Sequence, residues 1–200
     1  MPQQSGMHFY LNWAKERIDE MDAALASLED KASELQADSK VKAEKLITDL
    51  NQRRDEFREI IKKQVEASES VWARTKPQLE AGWTGFEAEI KTYVDTFYQK
   101  IDQQGTFKDL AAAQVKAWRE AADKINSAAS EFAAGRRADI DTVVKKMKAD
   151  ATEAEVRLKQ VAADSWATYS KALAESRAAF DRANQAAWEA FKRTPPPQPQ

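Results

Sequence analysis

The chain has 200 residues, 42% of them hydrophobic and 32% charged, with no cysteine, one histidine, five glycines and six prolines. Disulfide frameworks, thiolate nucleophiles and cysteine-ligated metal centres are excluded, and a lone His8 cannot build a histidine-rich metal site. A net charge of −2 argues against a dedicated nucleic-acid binder, which shows a basic excess.

Ala, Glu, Lys, Leu, Gln and Arg dominate nearly every window, and these residues lose least on entering a helix. Hairpins and barrels need Gly, Pro or Asn-Gly signals at short intervals, whereas Pro77 is the only proline between Pro2 and the tail. The amino terminus, MPQQSGMHFYLNWAKERIDEMD, lacks the basic and then apolar segments of a secretory signal, so a cytoplasmic location is expected. Residues 1–6 read as disordered and 7–104 as a first helical arm, with room for a kink near 77–85, where Pro77, Gly82 and Gly85 fall. Gly105 is placed to end that arm, and Thr106 with Asp109 resembles a capping pair, which puts a turn at 105–106. Weaker breaks fall at Asp38-Ser39 and at Gly135. Residues 107–193 form the second arm, and 194–200 a Pro-rich disordered tail. The expected fold is therefore all-α: an elongated antiparallel helical hairpin or coiled coil of mixed heptad and eleven-residue periodicity. The alternative is a compact bundle of three to five helices.

Heptad spacing runs through Ile18, Met21, Leu25, Leu28, Ala32 and Leu35. Beyond it, Leu50, Ile61, Trp72, Trp83 and Val94 fall eleven apart, and Leu46, Phe57, Leu79 and Ile90 follow a parallel row. In the second half Met147, Leu158, Tyr169, Phe180 and Phe191 repeat the spacing. Eleven residues in three turns is ~3.67 per turn, so such a stripe runs nearly straight and wants a partner along its length. A second pattern, Trp-x6-Leu/Ile-x6-Phe, recurs at Trp72-Leu79-Phe86, Trp118-Ile125-Phe132 and Trp166-Leu173-Phe180, with Trp188 following Trp166 by twenty-two residues. It has the look of a duplicated unit of some 47 residues, starting 46 and then 48 residues apart.

The stretch ESVWARTKPQLEAGWTGFEAEI resembles bacterial coiled-coil proteins described as stress-response-like, in which two Trp lie eleven apart in a Lys/Glu/Ala-rich helix. The chain as a whole, with AAFDRANQAAWEAFKR near its end, is similar to uncharacterised helical proteins of alphaproteobacteria. These resemblances imply a helical, bacterial, stress-related protein and bring no catalytic residue or ligand with them. The eleven-residue rows are also similar to apolipoprotein A/E-type helices, which lie on lipid but are punctuated by proline more often than this chain.

No catalytic, cofactor-binding or metal-binding residue stands out, and no phosphate-binding or nucleophile motif occurs. The leading expectation is a non-enzymatic interaction or scaffolding protein that associates through the aromatic stripe, as a dimer or with another helical protein. The stripe comprises Leu50, Ile61, Trp72, Leu79, Trp83, Phe86, Val94, Trp118, Ile125, Phe132, Met147, Leu158, Trp166, Tyr169, Leu173, Phe180, Trp188 and Phe191. The alternative is an amphipathic protein on a membrane or storage-granule surface, since Trp and Phe suit the apolar face of an interfacial helix. Nucleic-acid contact ranks third: Arg53, Arg54, Arg58, Lys62 and Lys63 would lie level with Lys146 and Lys148 in a hairpin, but acids are interleaved with them.

Overall fold

The structure is a computed structural model that describes residues 4–64, 67–97, 102–130, 134–161 and 165–192. The chain is all-α, and the described residues form six helices: α1 (Gln4–Ser33), α2 (Ala37–Lys63), α3 (Glu69–Thr96), α4 (Gln103–Ala129), α5 (Ala134–Val161) and α6 (Trp166–Lys192). Each buries residues three and four apart and, save for a few residues of α1 and α6, turns its charges outward, the pattern of a helix packed on one side. α2 buries Ala43, Ile47, Leu50, Phe57 and Ile61 in this way.

Within each half of the chain successive helices pack antiparallel. Arg53 on α2 meets Glu89 on α3, and Gly82 faces Phe57, so the two helices run in opposite senses. Arg119–Glu155 and Lys148–Asp123 mark the same relation between α4 and α5. α1 runs alongside α3, where the Tyr93 hydroxyl donates to the Leu28 carbonyl at 3.3 Å. α4 runs alongside α6, with Phe107 stacked on Tyr169 and Trp118 on Phe180 at centroid separations of 5.0 and 5.4 Å. α1 also packs on α4 and α6, which joins the two halves of the chain into one core. The helices thus form successive antiparallel hairpins gathered into a bundle.

The expected arms need correcting in their boundaries. Each is interrupted twice, so the helices are 27 to 30 residues long, or roughly 40–45 Å apiece. The turn expected at 105–106 lies inside the first turn of α4. Asp102 is the residue that caps this helix, its carboxylate accepting from the Gly105 N–H at 3.0 Å, so Thr106 and Asp109 are not the capping pair. Gly82 and Gly85 do not break α3; they face the Phe57 and Arg53 side chains of α2. Pro77 is also inside α3. It is tolerated because Pro77 and Ala73, whose carbonyl loses its partner, are both exposed to water. The break expected at Asp38-Ser39 falls just before it, at 34–36, and Gly135 is the second residue of α5. Residues 4–6 belong to α1, whereas 1–3 and the tail 194–200 lie outside the described residues.

Replacing Asp102 by Ala should lower stability by about 1 kcal/mol, the usual worth of a helix N-cap, measured by urea unfolding. Gly105→Ala should fail to gain the ~1 kcal/mol that Ala normally gives over Gly in a helix, because its Cβ would press on the capping carboxylate.

Candidate functional site

The aromatic stripe is built into the core of the chain itself. Leu50, Ile61, Trp72, Leu79, Trp83, Phe86, Val94, Trp118, Ile125, Met147, Leu158, Tyr169, Leu173 and Phe180 are buried, and Trp166 is half-buried against the same cluster. The side chains of Phe132, Trp188 and Phe191 lie outside the described residues, as does that of His8. The eleven-residue row is not one continuous face. Leu50 and Ile61 lie on α2, and Trp72, Trp83 and Val94 on α3, so the row folds back and is covered by the chain's own helices. The 47-residue pattern is not a structural repeat either: Trp72 lies in the first turn of α3, Trp118 in the middle of α4, and Trp166 is the first residue of α6. Among the described residues only Val41 and Val156 are large apolar side chains left exposed.

What the stripe encloses is a cluster of charges. Glu16, Arg17 and Glu20 on α1 are 2, 1 and 0% exposed, and Arg177 and Asn184 on α6 are also buried. Glu20 is the hub. One of its oxygens accepts from Arg17 Nη1 at 2.6 Å and from Trp118 Nε1 at 2.7 Å, and the other from Arg177 Nε and Nη2, each at 3.3 Å. Arg17 turns its second nitrogen to both oxygens of Asp181, at 2.6 and 2.5 Å, while Arg177 reaches Glu87 on α3 at 2.9 Å. Trp83 underlies both guanidinium groups, with centroid distances of 5.5 Å to Arg17 and 4.5 Å to Arg177. Trp13 flanks Arg17 at 5.4 Å. Four helices, α1, α3, α4 and α6, therefore meet on this one network.

Glu16 is the weakly served member. It accepts from Arg17 at 3.3 Å and from the neutral Asn184 amide at 3.1 Å. Burial pushes its carboxyl well above the ordinary range; Arg17 and Arg177 oppose that shift, and Asp181 and Glu20 reinforce it. Burial would pull the Arg17 guanidinium down, but Glu20, Asp181 and Glu16 together hold it above its usual value, so it stays charged. Burial alone also raises Tyr93, to about 12, and is the main cause of a still larger rise at Tyr169. Beside Glu16 a cavity of about 20 Å³, lined by Lys15, Ala121, Lys124, Ile125 and Asn184, has room for roughly one water molecule. Among the described residues no group of His, Cys, Asp and Glu is placed to hold a metal ion, and no helix is long and apolar enough to cross a membrane.

The basic residues do not gather into a band. Arg54 and Arg58 reach Asp22, Arg53 reaches Glu89, Lys62 reaches Glu59, Lys146 reaches Asp150 and Lys148 reaches Asp123. α2 packs chiefly on α1 and α3, and α5 on α4 and α6, so the two basic segments are not set side by side. Comparison with protein-family models, with curated proteins and with solved structures finds no match.

The charge cluster leaves a signal in the sequence beside the apolar stripe. Arg177 lies four residues after Leu173 and three before Phe180, and Asn184 four after Phe180, so both polar residues sit in phase with the apolar row. Glu16, Arg17 and Glu20 likewise occupy the turns between Trp13 and Ala24 that the core claims. Removing one partner leaves the others buried and uncompensated. Arg17→Met should therefore cost about 3–5 kcal/mol in denaturant unfolding, whereas Arg157→Ala, which breaks a solvent-exposed pair with Glu175, should leave the transition nearly unchanged.

Proposed function

We propose that the protein is a non-enzymatic interaction protein that stores its aromatic stripe inside a closed bundle and presents it when helices separate. The burial of that stripe carries the reading: among the described residues an apolar surface large enough to bind a partner exists only between the helices, while the exterior carries paired charges. Partner helices can replace the bundle's own, because each of the six presents one apolar face to its neighbours. The natural occupant is a second copy of the chain or another helical protein, giving a self-associating or scaffolding role, stress-related if the resemblance of the Trp72–Trp83 segment holds.

A lipid or storage-granule surface is the second reading. The observation in its favour is the same burial, since opening would expose Trp72, Trp83, Trp166 and Phe180 on amphipathic helices of interfacial type. Acids match bases along the chain, so anionic headgroups would add little attraction and the apolar face would have to supply the affinity.

The two readings separate by light scattering across protein concentration and by flotation with zwitterionic and anionic vesicles. Concentration-dependent dimers that ignore vesicles are expected, and flotation at physiological salt would transfer the stripe to lipid. An engineered disulfide tying α1 to α6 is readily interpreted because the chain has no cysteine of its own. It should abolish association when oxidised and restore it when reduced; association by the locked form would overturn the reading.

A further inference from the structure

The four carboxyls of the central cluster share two guanidinium groups. Arg17 serves Glu16, Glu20 and Asp181, and Arg177 serves Glu20 and Glu87. Asp181 and Glu87 are about a third exposed and keep contact with water, whereas Glu16 and Glu20 are sealed from it. Glu20 has charged donors on both oxygens; Glu16 has one guanidinium contact, the longest that Arg17 makes, and one neutral amide. The Asn184 Oδ1, on the amide whose nitrogen donates to Glu16, is buried without a hydrogen-bond partner among the described residues. Turned over about its last side-chain bond, the same amide would set that acceptor against Glu16, where it fits a carboxylic O–H and repels a carboxylate.

We propose that Glu16 is a neutral carboxylic acid in the closed bundle, its proton donated to Asn184, and that loss of this proton as pH rises loosens the packing of α1 on α6. The charged groups around it fit that assignment. On α1 they are Arg17 and Glu20, with Lys15 at the solvent edge; on α6, Arg177 and Asp181; on α3, Glu87. On α4, Lys124 borders the cavity but is mostly exposed and pairs with Asp19. The Tyr169 phenol on α6 lies near Arg177, Glu20 and Glu87 and is held neutral by burial. No cation from α3 or α4 is therefore left to balance an ionised Glu16.

The sign follows from a carboxyl raised above its unfolded value of ~4.3. The stabilisation is complete below that value and is lost as pH rises through the raised one, because the unfolded chain gives up the proton first. The device sets how readily the bundle opens, and for its purpose it rests on the interaction reading. The proton linkage itself is measured on the isolated chain.

The test is urea unfolding of the full chain and of Glu16→Gln from below the unfolded carboxyl's ~4.3 to mildly alkaline pH. The two should coincide at the acidic end. Between the unfolded carboxyl's value and the folded-state value the wild type's unfolding constant should then grow relative to that of the variant by about tenfold per pH unit, and above the folded-state value the ratio should level off. Infrared difference spectra give a second readout: a protonated-carboxyl band present in the wild type at neutral pH and missing from Glu16→Gln. Parallel pH profiles, or no such band, would overturn the proposal and leave the stripe reading standing. A stripe that binds neither protein nor lipid would overturn that reading and leave the proton linkage intact.

Discussion

Glu20 accepts hydrogen bonds from Arg17 on its own helix, from Trp118 on α4 and from Arg177 on α6, and Arg177 passes the connection to Glu87 on α3. Burying such charges is expensive, and the network returns that cost only while every partner is in place. It therefore demands a specific arrangement of α1, α3, α4 and α6 more than it adds net stability. α1 packs on both other helices of its own half and on two helices of the other. The three charged residues it places in the core are the reason that its register admits so little slippage.

Around this centre the apolar residues supply the driving force, at roughly 1.5–3 kcal/mol for each large side chain removed from water. Their distribution decides how the surface behaves. Trp72, Trp118, Phe86, Phe180 and Leu158 are fully enclosed, and many of the ion pairs outside are the i,i+3 and i,i+4 kind that are worth little. A closed bundle of this sort offers partners a polar exterior, so any hydrophobic association has to compete with packing the chain already enjoys.

Helical content was readable from composition, and the inward faces from spacing: nearly every described residue assigned to the stripe is in the core. The helix boundaries were harder, for a physical reason. Among the described residues no backbone φ is positive, so the helices end without the left-handed glycine that marks a terminus in sequence. The breaks at 64–68 and 162–165 contain neither Gly nor Pro, although Ser165 does cap α6 by accepting from the Thr168 N–H at 3.2 Å. Gly105 misled because its small size serves the Asp102 cap rather than a turn. With the breaks missed, the eleven-residue row looked like an outward seam. The charges of the cluster were hidden by the habit of assigning Glu and Arg to a solvated face, which their phase with Leu173 and Phe180 contradicts.

The wide sequence separation inside the cluster has a consequence for how the fold assembles. Within each half, antiparallel neighbours are joined by connections of three to five residues, so their contacts are local and form early. Arg17 and Asp181 are 164 residues apart. As a chain emerges from the ribosome, α1 is made first and the α6 groups that neutralise it are made last. Until then Glu16, Arg17 and Glu20 sit as solvated charges in the middle of an otherwise apolar face. Those charges keep that face from closing on a wrong partner and reserve the central position of α1 for the final helix.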